Sequence, residues 1–260
     1  SAQAITIVNL LALTLVVVPN LPRRLLRMTT RPLVTALAGA TVSAVVCAVL
    51  SKLAWRRNRA KIVAKAIRDR RSMFLQDLNG AEASDAAVLE MLEAANWAPT
   101  HGQTQPWRFC VFRRSSGQIE AFFRLQLTAS QARIQEENLS AEAHRDLKKF
   151  ITKQPAKTKD IAKCSHIIAI SMKRKANPEK IMPEWEEIAA VACAVQNAHI
   201  VACQLGVAAY WSSGGTEGPL ATDAVRELLE LEDGDRCLGL MYVGMADEAK
   251  WERNQERASR

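Results

Sequence analysis

The segment from Asn96 to Phe109, N-W-A-P-T-H-G-Q-T-Q-P-W-R-F, limits the fold more than any other stretch of the chain. Pro99 pushes the residue before it out of the helical region, so the helix read over Val88, Leu89, Met91, Leu92 and Ala95 must end there. The bend exposes backbone amides and the Thr100 hydroxyl, groups able to border a flat ring. Trp107 to Arg113 then has a strand pattern. A second marked site lies upstream, where a helix read over Arg59 to Ser72, with Ile62, Ala66 and Ile67 on one face, ends in Arg70-Arg71-Ser72. Two fixed positive charges and a hydroxyl suit a terminal phosphate, held through short charge-assisted hydrogen bonds.

The remaining segments alternate in type. Asn79-Gly80 marks a turn and Ser84 is placed as a helix N-cap. Ser116 to Lys159 reads as polar and helical, Cys164 to Lys173 as a buried strand, and Pro183 to Leu205 as a long helix, apolar nearly all round from Ile188 to Val195 and again from Ile200 to Leu205. Such a helix belongs in a core or a dimer interface. Gly206 to Trp211 reads as a short strand, Pro219 to Leu231 as a helix, and Cys237 to Gly244 as another buried strand. The expected fold is α+β, a mixed sheet covered by helices.

Charge divides the chain unevenly. No Asp or Glu precedes Asp69, while eleven Lys or Arg do, so the overall +8 is a basic N-terminal region joined to a mildly acidic remainder. The basic pI therefore gives no support to nucleic-acid binding. Two parts are expected, an N-terminal membrane anchor or targeting region over residues 1–58 and a folded domain over 59–260. Leu33 to Trp55 is apolar apart from Lys52 and long enough to span a hydrocarbon core of about 30 Å. Ala36, Ala40, Ala44 and Ala48 give it a small-residue face for another membrane helix. Ala4 to Val18 is shorter, and reads as a second span, an interfacial segment or part of a signal. Arginines and lysines flank the longer run on both sides, so they select no topology. An organelle-targeting peptide is the alternative to a retained anchor. Cys47, Cys110, Cys164, Cys193, Cys203 and Cys237 sit apart in apolar runs and read as buried thiols, without metal-ligand spacing. Trp97, Trp107 and Trp185 read as packing residues, and Lys250 as part of a loose tail. Spacing suggests no hydrolytic triad, and no catalytic side chain is assigned.

Three ordered blocks resemble the nitroreductase family. They are Arg70-Arg71-Ser72, Ala98-Pro99-Thr100 continuing to Gln105-Pro106-Trp107 and Phe109, and the late run Leu205 to Gly215 preceded by a long helix. The likeness extends roughly from Lys61 to Asp247. It implies an α+β nitroreductase-like fold in an intertwined homodimer, with FMN at the subunit interface and NAD(P)H as hydride donor to a nitroaromatic, quinone or similar conjugated acceptor. Carried over by residue, the flavin contacts are Arg70, Arg71, Ser72, Pro99, Thr100, His101, Trp211, Ser212, Ser213 and Gly214, with Pro99 to His101 coming from the neighbouring subunit. The chain departs from the family pattern at Phe74, where a second basic residue is usual, and at Gln103, where Asn is usual. Those departures and the apolar N-terminus leave a second expectation open, an accessory subunit of an organellar (mitochondrial or plastid) membrane complex.

Overall fold

The computed structural model describes residues 23–174, 181–213 and 217–256, with side chains from Val45 onward except Gln255. The chain divides into two units, Ser1–Ile62 and Val63–Arg260. Helix α1, Arg23–Asp69, runs from the first into the second. Within the first unit Val45, Val46, Val49, Leu50, Leu53 and Trp55 are exposed, and the Arg59 guanidinium lies over the Trp55 ring. The expected Ala4–Val18 segment lies outside the described residues, and the side chains of Leu33–Trp55 are described only from Val45. Among the described residues no helix is long and apolar enough to cross a membrane.

In the second unit four strands form one sheet: β1 (Trp107–Arg113), β2 (His166–Met172), β3 (Ala208–Ser212) and β4 (Arg236–Gly244), in the order β1-β2-β4-β3. Every residue of β2 is buried, as expected for a central strand rich in isoleucine. All three neighbouring pairs are antiparallel, which corrects the expected mixed sheet. Among the described residues one helix, α5 (Glu184–Gln204), lies between β2 and β3, and those two strands run parallel. Strand β4 inserts between them, so no parallel pair becomes a neighbouring pair.

Strand alternation divides the core between the two sheet faces. Ile168 and Ile170 of β2 join Val88, Met91, Val191 and Val195, from α2 (Asp85–Ala95) and α5. Ile167 and Ala169 join Phe112, Phe122, Leu240 and Tyr242 beneath α3 (Gln118–Arg133). Full burial of each large apolar side chain contributes about 1.5–3 kcal/mol. Helix α4 (Ala141–Ile161) follows α3, and a short α6 (Asp223–Leu228) precedes β4. Ser84 caps α2 as expected, its Oγ accepting from the Ala87 amide at 3.2 Å, an interaction worth about 1 kcal/mol.

Three further expectations need correction. Trp97 and Trp185 are 83% and 69% exposed instead of packed; each sits where a helix ends or begins, facing away from the sheet-borne core. Cys47 and Cys193 are exposed, Cys193 because it falls on the open side of α5. The segment bearing Lys250 is a helix, α7 (Glu248–Glu256), drawn toward the buried Asp77 carboxylate by Arg253 and Lys250. Trp107 is buried as expected, its indole N–H donating to Asn96 Oδ1 at 2.9 Å.

Candidate functional site

Helix α1 ends at Asp69, and the chain then runs beside β3, the edge strand whose backbone groups would otherwise lack a partner. The Met73 amide donates to the Ala209 carbonyl at 2.9 Å, and the Phe74 ring packs on Tyr210 with centroids 4.9 Å apart. This places Arg70, Arg71 and Ser72 at the start of β3. Phe74 therefore fills its position with an aromatic contact to β3.

A buried histidine fixes this segment. His199 on α5 is 4% exposed, and its Nε2–H donates to the Arg71 carbonyl at 2.9 Å and the Ala209 carbonyl at 3.1 Å. With Nε2 as donor, Nδ1 accepts from Arg70 Nη1 at 3.5 Å. Burial, and then the Arg70 charge, push the imidazole down from 6.5 to about 4, so the ring is neutral at neutral pH. The Arg71 amide also donates to Cys203 Sγ at 3.3 Å; burial raises the Cys203 thiol above its ordinary range.

The two arginines are engaged differently. Arg71 turns Nη1 onto the Arg68 and Arg70 carbonyls and Nε onto the Asn254 carbonyl. Among the described residues the Arg70 side chain has only the His199 nitrogen. Among the described residues neither arginine pairs with a carboxylate, and the half-buried Ser72 hydroxyl has no partner. Two cations and a hydroxyl thus share one segment without a protein anion, which fits a phosphate group.

The proline bend is braced internally. Thr100 Oγ1 lies 2.9 Å from Thr104 Oγ1 and accepts from the Gln105 amide at 3.1 Å. Gln103 and Gln105 hold φ of 53° and 45°, left-handed values that are costly for side-chain-bearing residues. Gly102 has φ 57°, and a Cβ there would meet Met182 Cε at 3.0 Å. His101 Nδ1 lies 2.6 Å from Glu186 Oε2, in the first turn of α5.

Helix α5 therefore carries the two halves of the expected site at opposite ends. The bend meets it at Glu186 and the arginine segment meets it at His199, about 20 Å apart at 1.5 Å per residue. One chain brings Arg70, Arg71 and Ser72 together with β3 and does not bring Pro99, Thr100 and His101 beside them. At the far end of β3 the Trp211 indole donates to the Leu238 carbonyl at 3.2 Å. Ser212 is half-buried and Ser213 exposed; Gly214 lies outside the described residues. Gly239 of β4 has φ 132°, and a Cβ there would stand 2.3 Å from the Ser212 carbonyl oxygen. Only glycine lets β4 pass so close to this strand end.

Sequence reasoning missed His199 and read Cys203 only as a buried thiol. The signal for His199 was an imidazole set between the two apolar runs Ile188 to Val195 and Ile200 to Leu205. It also missed a hydrogen-bonded string in which His166 joins Asp85 Oδ1 at 2.8 Å and Ser165 Oγ at 3.0 Å. Ser165 Oγ donates to the buried Val243 carbonyl and accepts from the Ala83 amide. Ser165 is only 3% exposed, so the string ties α2 to the sheet and presents no nucleophile to a substrate.

Fold and site together define a helix-covered α+β domain whose polar segments flank the two ends of one central helix. The sequence pattern of the nitroreductase family matches residues 67–245. The chain belongs to that family. It is 24% identical over 183 residues to YfhC of Bacillus subtilis strain 168, whose name places it among NAD(P)H nitroreductases, covering 70% of this chain and 84% of YfhC. A nitroreductase-like family protein from Bacillus cereus superposes with a TM-score of 0.54 at 19% identity, over 72% of this chain and 86% of that one. A nitroreductase with bound FMN from Bacteroides fragilis gives 0.52 at 17% identity, over 72% and 89%.

Proposed function

We propose that this chain is an FMN-dependent oxidoreductase that takes hydride from NAD(P)H and passes electrons to a nitroaromatic, quinone or similar conjugated acceptor. The observation that carries this reading is the Arg70-Arg71-Ser72 segment, two guanidinium groups and a hydroxyl without a protein anion, clipped against β3 by His199. Family membership and the FMN named for the Bacteroides fragilis relative support it. The flavin, when bound, supplies the hydride and electron chemistry. Arg70 and Ser72 hold its phosphate, and neutral His199 keeps Arg70 in place without adding a competing charge. Backbone amides at the end of β3, around Trp211, Ser212 and Ser213, would serve the ring edge and favour added negative charge there. Pro99, Thr100 and His101 close the opposite side.

The reading needs two copies. The 20 Å separation along α5 leaves each chain with two half-sites, which a homodimer would complete in pairs. The exposed Trp97, Trp185 and Leu89, together with the open side of α5 at Ala189 and Cys193, support such an interface. An absorption spectrum of the purified protein followed by anaerobic titration with NADH and with NADPH tests the function. A yellow protein bleached by either nicotinamide is expected; a colourless protein that takes up no FMN refutes it.

A second reading has its own observation. The exposed apolar residues from Val45 to Trp55 support membrane attachment through α1, and Phe74 replaces a basic clamp residue with a ring contact to Tyr210. On this reading the domain is an accessory subunit of a larger complex in an organellar membrane, with little turnover. Comigration with a large assembly and absence of reductase activity would favour it; a free dimer that oxidises NAD(P)H would exclude it.

A further inference from the structure

On the α3–α4 side of the sheet lies a cavity of about 320 Å³. Its rim carries Lys149, Lys153 and Lys157, spaced four apart along one face of α4. Among the described residues none of the three has an ion-pair or hydrogen-bond partner. The one carboxylate in the lining, Asp146, lies 3.7 Å from Arg145. Partial burial, and then Lys153 and Lys149, hold the Lys157 ammonium below its ordinary range. Three ammonium groups facing one hollow repel one another, and an anion there relieves the repulsion.

The floor gives a second, independent sign. Gln126 of α3 lines the cavity at 1% exposure, and its Oε1 has no hydrogen-bond partner. A buried amide oxygen without a donor costs about 1–3 kcal/mol, which a ligand O–H or N–H would offset. Between rim and floor the walls are aromatic and aliphatic, with Phe123, Phe150 and Tyr242 among them. Ser212 and Ser213 border the same space.

We propose that this cavity binds a small aromatic acid. Its carboxylate sits among Lys149, Lys153 and Lys157, its ring lies against the aromatic walls, and a hydroxyl or amino group donates to Gln126. The volume suits a one- or two-ring acid and is too small for a dinucleotide. Because Ser212 and Ser213 also belong to the proposed flavin loop, the oxidised counterpart of such an acid, bearing a nitro or quinone group, is the conjugated acceptor: it takes the electrons that NAD(P)H gave the flavin and leaves as the reduced hydroxyl- or amino-bearing acid, an assignment that rests on that reading. Acceptor selection would then follow charge.

The test is calorimetric titration of the full-length protein with 4-hydroxybenzoate, its methyl ester and inorganic phosphate, with flavin content read by absorbance. The acid is expected to bind at least tenfold more tightly than the ester. Lys153→Gln with Lys157→Gln should weaken the acid at least tenfold and leave the ester unchanged, while Arg124→Gln, on the exposed side of α3, changes nothing. Gln126→Leu should weaken both. Equal affinity for acid and ester overturns the proposal. So does loss of FMN in the lysine variant, which would place the lysines in the flavin site, and so does a changed NADPH-to-NADH preference with acid binding intact. A colourless protein that binds the acid with the same lysine dependence upholds the binding site and refutes the flavin reading separately.

Discussion

Replacing His199 with glutamine separates its titration from its hydrogen bonds. Glutamine Nε2 can reach the Arg71 and Ala209 carbonyls that His199 Nε2 holds at 2.9 and 3.1 Å, but it takes no proton. The imidazole falls from 6.5 to about 4 on folding. Its folded value is depressed, so the unfolded chain binds the proton first as pH drops. The stability this residue contributes is complete above pH 6.5 and is lost as pH falls toward and through about 4. Between pH 7 and pH 5 those two values give a loss of about 2 kcal/mol. Urea unfolding of wild type and His199→Gln, followed by circular dichroism at one protein concentration, measures it. The stability gap in favour of wild type should shrink by about 2 kcal/mol from pH 7 to pH 5. A gap unchanged over that range would show that His199 is not a buried neutral clip, and the reasoning that places Arg70 would fail with it.

Other positions give sharp outcomes. Gly239→Ala should cost about 3 kcal/mol or more in a thermal or urea melt, because its Cβ would enter the space of the Ser212 carbonyl at a backbone φ of 132°. Arg174→Met should destabilise by about 3–5 kcal/mol in the same assay, since it strands the Glu187 carboxylate, 1% exposed and bonded to Arg174 Nε at 2.8 Å. In thiol labelling of the native protein Cys164, pushed up to about 12 by burial, should stay unmodified. The proposed homodimer would cover Cys193, which is exposed on a single chain, so its labelling should be slow at high protein concentration and become fast on dilution.

Much of the fold was legible because the strands are short, β-branched and bounded by turn residues. The Trp107–Arg113 strand was read with its observed limits, and β2, β3 and β4 within about two residues. Ser84 was readable as a cap because its hydroxyl acts locally. Strand order was not legible. The insertion of β4 between β2 and β3 is a long-range choice that periodicity in one strand cannot encode. The three ordered motifs gave the candidate segments, but His199, the partner that holds the arginine segment, lies 128 positions from Arg71 on a long helix. Trp97 and Trp185 were misread because size alone suggests burial, whereas both sit at helix ends that face away from the sheet-borne core. The lysine cavity escaped notice because Lys149, Lys153 and Lys157 look in sequence like a solvated helix face.

The most direct test concerns sharing of the site between two copies. Arg70→Glu in one chain and Thr100→Val with His101→Ala in another should each give homodimers without flavin. Co-expressed with separate tags and purified as the mixed dimer, they should hold one FMN per dimer, because one of the two sites then receives an intact arginine segment from one chain and an intact bend from the other. A mixed dimer with no flavin would contradict the shared site, since that result arises when both halves of a site must come from the same chain.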